Sequence, residues 1–599
     1  MSLKKTVMIV TAVLVLALLS AFWWISQYDY NRLKPIIAEQ VRAATDRDID
    51  IQGDLRLKVG LAPTLTTGPV KLRNAAWGSE PNMLTTEGIE LQLSLLPLLR
   101  KKGVFKRLVL IKPVALVEQN ADGTQNNWEF DKEPAKDTPA PEPPSEPLEF
   151  SLEHAEIKDG QLRILNHPTG DATTLRIGDF VLEKQRGSLP LKMKLKGAYN
   201  ETAFSLEGES SSLHDLVTTD KDWVFDLAVK AKQTEVTLAG RLQRPSGDAP
   251  PRLEVAVNGS QLDVRPWLAT PKDAPAPARK NTGRVFSDAP LQLEALNKLD
   301  LQAEIDIQEL LLPHIALNKV KTTLRIEEGR FEAGPARAVA GGGDYQAHFK
   351  IDSRAKPPRM KADLKIDQMN AGVMLKELDL QNVMEGVLDF QADLAGQGAS
   401  MAELMASLDG HAMLVSGEGR LGQAFFGLFS KDLTDQLLSL FNPFEKGDST
   451  TPIECLVIRL DSTKGKVELS QVVWVTPDAI VVGGGRIDLT TEKIDIGIQP
   501  TPKQGSISLG VLTKPFRLGG TLSNPSMAID PTATALTAGR IAGGVLFGPV
   551  GIAMAFTKIE GDVANPCLEA VKNAENGVVP EKKGFFEKIG DAVKSLGGD

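Results

Sequence analysis

The sequence predicts a mainly β protein with a few helices, in which an N-terminal transmembrane helix precedes a long antiparallel sheet. Three observations lead to this prediction. The chain opens with an uncharged apolar run, a two-residue alternation of apolar and polar residues recurs through most of the remainder, and turn signals separate the alternating runs. Because short strands joined by tight turns pair antiparallel, we expect an antiparallel sheet.

The predicted transmembrane helix covers residues 7–25, VMIVTAVLVLALLSAFWWI, which carry no charge. A helix of this length spans ~28 Å, close to the hydrocarbon thickness of a bilayer. Lys4 and Lys5 precede it, which predicts a cytoplasmic N-terminus and a body on the far side. A cleaved signal peptide is the alternative, and it would also export the body. The predicted anchor residues are Val7, Leu14, Leu18, Trp23, Trp24 and Ile25.

After the anchor, residues 28–45 are predicted to form a helix, since apolar residues such as Leu33 and Val41 recur at helical spacing. From Asp48 the period changes to two, which predicts one strand, or two strands broken near Gly53. Farther along, Ser400 and Glu403 form a capping box that opens a helix near residues 401–407.

The alternating runs give the candidate residues for an apolar groove. A sheet with one apolar face must cover that face with helices, with a second sheet, or by curling into a trough. A closed core is therefore the alternative to an open groove. The candidates are Leu191, Met193, Leu195, Leu253, Val255, Val257, Leu301, Ala303, Ile305, Ile307, Leu364, Ile366, Ile494, Ile496 and Ile498.

Composition divides the chain into eight segments, two of which are Pro- and charge-rich linkers. The predicted segments are a cytoplasmic stub and anchor (1–27), an α/β start of the sheet (28–130), a linker (131–147), a middle β region (148–269), a weaker linker (270–290), a C-terminal β region (291–530), an apolar helical segment (531–575) and an amphipathic tail (576–599). Whether the apolar helical segment touches a membrane or caps the sheet stays open.

The sequence contains no pattern that predicts catalysis, a cofactor or a metal site. The net charge of −9 argues against a general nucleic-acid binder. The six histidines form no zinc-binding arrangement, and Gly543–Gly548 lacks the lysine of a phosphate-binding loop. Cys455 and Cys567 could form one disulfide or remain separate thiols. We therefore expect a protein that is not an enzyme.

Several motifs, in order, resemble the AsmA family and cover about two thirds of the chain. The N-terminal ones are 33–35 (LKP), 46–53 (DRDIDIQG), 95–99 (LLPLL), 108–113 (LVLIKP) and 122–128 (DGTQNNW). The C-terminal ones are 324–330 (LRIEEGR), 408–410 (LDG), 484–489 (GGRIDL) and 519–525 (GGTLSNP).

The resemblance implies an inner-membrane-anchored periplasmic protein, related to TamB and to bridge-like lipid transfer proteins, that takes part in outer-membrane assembly and lipid homeostasis. On this basis we expect the sheet to curl into an apolar groove that holds or conducts phospholipid. The implied partners are the inner membrane, phospholipid and outer-membrane assembly factors. We expect no nucleic-acid partner. A scaffold that modulates outer-membrane protein assembly without carrying lipid is the alternative.

Overall fold

The structure is a computed structural model that describes part of the chain. The described residues are 28–60, 62–94, 102–130, 149–167, 170–185, 189–212, 215, 221–245, 249–268, 283–380, 382–422, 450–477, 479–502, 516–528, 571 and 575. The predicted anchor, the first linker and almost all of segments 531–575 and 576–599 lie outside this range. None of the helices within the described ranges has the length and apolar character needed to cross a bilayer.

Four α-helices occur among the described residues, together with the 3₁₀ helices Tyr30–Leu33 and Glu294–Asn297. The α-helices are α1 (Lys34–Thr45), α2 (Arg265–Leu268), α3 (Ala371–Glu377) and α4 (Met401–Ala406). The predicted helix over 28–45 is confirmed as a 3₁₀ turn followed by α1, which ends where Asp46 adopts a left-handed conformation with φ 52°. Ser400 caps α4 as predicted, since it accepts a hydrogen bond from the backbone N–H of Glu403. The Glu403 carboxylate accepts from the N–H of Ala399, one residue before the position that a capping box requires.

Two compact units make up the fold, and the first comprises residues 1–244 and 265–277. Its strands are β1 (Ile49–Ile51), β2 (Arg56–Lys58), β3 (Thr64–Thr67), β4 (Val70–Arg73), β5 (Asn82–Thr86), β6 (Gly88–Ser94), β7 (Lys102–Ile111), β8 (Val114–Gln119), β9 (Glu149–Leu152), β10 (His154–Asn166), β11 (Asp171–Lys184), β12 (Leu191–Tyr199), β13 (Thr202–Ser210), β14 (Trp223–Ala231) and β15 (Thr234–Gln243). Strands β10 to β15 form an antiparallel meander.

The second unit comprises residues 245–264 and 278–599. Its strands are β16 (Arg252–Asp263), β17 (Asp300–Leu311), β18 (Ala316–Glu327), β19 (Arg330–Ala340), β20 (Gly343–Asp352), β21 (Arg359–Asn370), β22 (Met384–Gln397), β23 (Asp409–Gly422), β24 (Thr450–Ile453), β25 (Cys455–Thr463), β26 (Lys466–Val475), β27 (Ala479–Asp488), β28 (Lys493–Pro502), β29 (Phe516–Thr521) and β30 (Asn524–Ala528). From β17 onward each strand pairs antiparallel with the next, except that β23 pairs with both β24 and β25.

The mainly β prediction is confirmed, and the strands pair mostly antiparallel as predicted, but some of the described strands pair parallel. Strand β10 pairs parallel with β7 and β8, β9 pairs parallel with β7, and β16 pairs parallel with β17. The connections that lead into β9 and β17 contain the two predicted linkers, 131–147 and 270–290. A long connection lets the chain cross back over the sheet and enter the next strand from the same end, which gives parallel pairing. A tight turn can only join antiparallel strands.

Candidate functional site

An apolar face runs across the second unit in rows perpendicular to its strands. Residues that lie opposite one another in paired strands share a face, so the register identifies the members of each row. The first row crosses β16 to β21 and consists of Leu253, Leu301, Ile326, Phe331, Ile351 and Met360. All six side chains are only half-buried. This row therefore leaves apolar surface uncovered by the described part of the protein.

A second row continues the same face from β21 to β29. It consists of Leu364, Ala392, Ala412, Leu460, Leu469, Gly485, Ile496 and Leu518. At ~4.8 Å between strands, the seven spacings extend ~34 Å. Half of this row is buried, namely Ala392, Leu469, Gly485 and Leu518, whereas every side chain of the first row is half-buried. The apolar face is thus more open near β16 to β21 than near β26 to β29.

The predicted groove residues occupy three places on this face and one place in the other unit. Those of β16 and β17 lie opposite one another, as in the pairs Leu253–Leu301 and Val257–Ile305. The residues of β21 and β28 lie on the same face, with Leu364 and Ile496 in one row. In the first unit the β12 residues join a comparable apolar row. The buried candidates are Leu191, Ala303, Ile307 and Ile366, and the half-buried ones are Met193, Leu195, Leu253, Val255, Val257, Leu301, Ile305, Leu364, Ile494, Ile496 and Ile498.

Two short helices lie at the two ends of the strands of the second unit. Helix α3 packs on β21 and β22. Its own residues Ala371 and Met374 are buried, with 0% and 6% of their surface exposed. At the opposite ends of the strands, α4 packs on β22. The helix lies so close that a Cβ added at Gly396 would be 2.9 Å from Leu404 Cδ1. The half-buried first row lies at the α4 end of these strands, since Met360 pairs with the same Gly396.

The opposite face of the same strands is charged and paired. The ammonium of Lys350 lies 3.0 Å from Glu332, that of Lys361 lies 3.2 Å from Asp363, and that of Lys321 lies 2.8 Å from Asp306. Hydrogen bonds from Lys350 and His348 lower the pKa of Glu332 below its usual value. Such exposed pairs add little stability, but they keep this face hydrated and leave the other face as the apolar one.

Sequence reasoning missed four of the six residues in the first row, namely Ile326, Phe331, Ile351 and Met360. Each of them alternates with charged neighbours, which is the signal that identified the other candidates. The rings of Phe331 and Phe349 are 6.2 Å apart in an edge-to-face arrangement, which adds an aromatic pair to the face.

A strap formed by residues 283–297 crosses the α4 end of the second unit. The carboxylate of Glu492 accepts hydrogen bonds from the backbone N–H groups of Val285, at 2.7 Å, and Phe286, at 3.0 Å. The guanidinium of Arg284 lies 3.4 Å from the same carboxylate. Burial alone would raise the pKa of Glu492, but these donors lower it below its usual value. Farther along the strap, the N–H of Ala402 donates to Ser287 O.

In the first unit, a buried carboxylate joins three segments that follow separate strands. Glu118 is 0% exposed and accepts hydrogen bonds from Asn74 Nδ2, at 2.7 Å, and from Ser79 N, at 3.0 Å. His167 Nε2 lies 2.9 Å from its other oxygen. The fully buried Asn127 accepts from Glu118 N and donates to Asn74. This network holds loops together; Glu118 and Asn127 are buried, whereas His167 is exposed.

We expect the Glu118 network to weaken at acidic pH. Burial raises the pKa of Glu118, but hydrogen bonds from His167, Ser79 and Asn74 outweigh burial and leave it below the usual value. A lowered folded-state pKa stabilises the fold above the unfolded value, about 4.3, and this contribution is lost as the pH falls through the folded value. The protection of the loop 74–81 amides, relative to their intrinsic exchange rates at each pH, should therefore fall below about pH 4.

The variant Glu118→Gln should remove this pH dependence, because its side chain does not titrate in that range. It should also exchange faster at pH 7, since the amide cannot accept all the hydrogen bonds that the carboxylate accepts. An identical acid response in the wild type and the variant would show that other groups cause it.

Within the described residues, no group of three or more His, Cys, Asp or Glu side chains is arranged to hold a metal ion. Among the described residues, the extended apolar surface of the second unit is the candidate functional site.

Comparison with known proteins supports the resemblance drawn from the motifs. The AsmA family profile matches residues 1–176 and 192–472, which together exceed half of the chain. The chain belongs to the AsmA family. It is 20% identical to the AsmA family protein YhjG of Escherichia coli strain K12 over 87% of this chain and 92% of that protein. No solved structure matches the chain.

Proposed function

We propose that this AsmA family protein is a non-enzymatic protein of the cell envelope that holds or conducts phospholipid along its apolar sheet face. It would be anchored in the inner membrane by residues 7–25, with its body in the periplasm, and would take part in outer-membrane assembly and lipid homeostasis. The observation that carries the proposal is the first row, whose six apolar side chains remain half-buried across six paired strands.

The physical argument concerns water-exposed apolar area. An acyl chain laid on the first row would remove apolar surface from water, which contributes ~25 cal/mol per Å². Its charged headgroup would stay in water, because burying an unpaired charge is costly. The row extends ~24 Å across its five strand spacings. An acyl chain lying along the first row would be covered on one side by protein and would need no specific polar contact.

Two further facts support the envelope assignment. Membership of the AsmA family suggests a role in envelope assembly or lipid transport. In addition, Cys455 is disulfide-bonded, and stable disulfides form in oxidising compartments such as the periplasm. Both facts are compatible with the predicted N-terminal anchor and an exported body.

Photo-crosslinking at two adjacent positions tests the proposal. Ile326 lies in the first row, whereas its neighbour Arg325 lies on the opposite face of β18. A photo-reactive amino acid at position 326 should form a phospholipid adduct in cells, and the same amino acid at position 325 should form at least tenfold less. Equal adducts at both positions, or none at position 326, would contradict lipid binding on this face.

The scaffold alternative rests on the closed part of the apolar face. Leu421, Ile453, Trp474, Val481 and Leu518 form a buried cluster at the β23 to β29 end. If the whole face closed in this way in solution, no acyl chain would fit and only a structural or interaction role would remain. Adducts to protein but not to phospholipid at position 326 would favour this alternative.

A further inference from the structure

A cavity lies at the α4 end of the second unit, where the first row ends at Met360. Its volume is about 970 Å³, within the range of roughly 300–1,000 Å³ that small-molecule sites occupy. Phe331, Ile351 and Met360 of the first row line this cavity, together with Ala406 and Ser407 at the C-terminal end of α4. The first row therefore borders a space large enough for a polar headgroup.

The charged residues that line this cavity are mostly basic. Five basic and three acidic residues contribute to the lining, which gives it a formal excess of two positive charges. The basic residues are Arg330, Lys350, Arg359, Lys361 and Lys464, and the acidic ones are Glu332, Asp352 and Asp409. Because the whole chain has a net charge of −9, this positive excess is a local feature of the cavity.

Two of the basic residues are available to an anion in the cavity. The other three lie within 3.5 Å of a carboxylate oxygen, namely Arg330, Lys350 and Lys361. Within the described ranges, Arg359 and Lys464 form no ion pair, and both are exposed. Asp409 accepts a hydrogen bond from the backbone N–H of Lys464, at 2.7 Å, and not from its ammonium.

We propose that this cavity receives the headgroup of an anionic phospholipid, with Arg359 and Lys464 attracting the phosphate while an acyl chain lies on the first row. A guanidinium can donate two parallel hydrogen bonds to phosphate oxygens, and an ammonium adds a compact positive charge. Arg359 directly precedes Met360, so one lipid molecule reaches both the cation and the end of the first row. This inference rests on the proposed function and adds to it which phospholipids the apolar face selects.

The charge of the headgroup sets the expected selectivity. Phosphatidylglycerol brings a phosphate and no cation, whereas phosphatidylethanolamine also brings an ammonium into a lining that already has an excess of positive charge. Like charges at such distances repel one another. Since Arg359 and Lys464 are exposed, water weakens these interactions, and we expect a preference for phosphatidylglycerol of about fivefold.

Competition between the two lipids tests the proposal. The full-length chain is incubated in detergent with equal amounts of phosphatidylglycerol and phosphatidylethanolamine, repurified, and analysed by mass spectrometry for both lipids. The wild type should retain about five times more phosphatidylglycerol. The double variant Arg359→Gln, Lys464→Gln should retain the two lipids about equally, with the total lipid per chain unchanged, because the first row is intact.

The matched control removes two positive charges outside the cavity. Arg337 and Lys466 are both exposed and do not belong to its lining. The double variant Arg337→Gln, Lys466→Gln should therefore keep the wild-type preference. Lipid bound by the wild type without preference, or the same preference in all three proteins, would overturn the headgroup assignment and leave the proposed function standing. Absence of both lipids from the wild type would overturn both.

Inorganic phosphate separates a lipid headgroup from a free anion as the occupant. Phosphate added to the wild type loaded with phosphatidylglycerol should displace no more lipid than sodium chloride of the same ionic strength, because salt screens exposed charges in either case. Displacement by phosphate well beyond that caused by chloride, together with its loss in the Arg359→Gln, Lys464→Gln variant, would show that the cavity binds free phosphate and would overturn the assignment to a lipid headgroup.

Discussion

Replacing Leu364 by Glu should reduce the phospholipid that co-purifies with the full-length chain at least tenfold. Leu364 is half-buried and begins the second row, next to the open first row. A tenfold change corresponds to about 1.4 kcal/mol. Covering an unpaired carboxylate with an acyl chain costs more than that, so the lipid should avoid this position. Phospholipid per chain, measured by mass spectrometry after extraction, gives the readout.

The adjacent Lys365→Glu variant is the matched control. Lys365 is exposed on the opposite face and its ammonium lies 2.7 Å from Asp367. Losing this surface ion pair should change stability by about 1 kcal/mol or less, and bound phospholipid should stay at the wild-type amount. Circular dichroism establishes that both variants keep the sheet. A similar loss of lipid in both variants would contradict the assignment of faces.

Replacing Glu492 by Ala should release the strap from the end of the sheet. The change leaves the N–H groups of Val285 and Phe286 and the guanidinium of Arg284 without their acceptor. Glu492 is buried but Arg284 and Val285 are exposed, so losing this acceptor costs about 2 kcal/mol. Hydrogen exchange of the backbone amides in residues 284–287 should therefore accelerate about thirtyfold.

Thr491→Ala serves as the control for the strap. Thr491 is exposed, and its backbone N–H, which the variant retains, donates to Asp488. Protection of residues 284–287 should not change in this variant. If Glu492→Ala also left that protection unchanged, the strap would be held by its contacts with α4 and not by the buried carboxylate.

The part of the fold that depends on local periodicity could be predicted from the sequence. The helix over 28–45, the break near Gly53 and the N-cap at Ser400 each depend on residues a few positions apart, and the structure shows all three. The apolar face could be found in the same way, since alternation along one strand fixes which side chains share a face.

Features that depend on distant partners could not be predicted. Glu492 and Val285 are separated by 207 residues, and Glu118 and His167 by 49, so neither carboxylate carries a local signal of burial. The parallel pairing of β16 with β17 depends on where a long connection returns the chain, which composition does not determine. Whether an apolar face is open or filled is likewise a property of the assembled sheet.

The amount of phospholipid bound to the wild-type chain tests the central claim most directly. The full-length protein is extracted in detergent, exchanged repeatedly into fresh detergent and analysed for retained phospholipid. We expect at least one phospholipid per chain, which Leu364→Glu depletes and Lys365→Glu retains. Repeated preparations of folded wild-type protein without phospholipid would contradict the proposal that the half-buried first row accommodates an acyl chain.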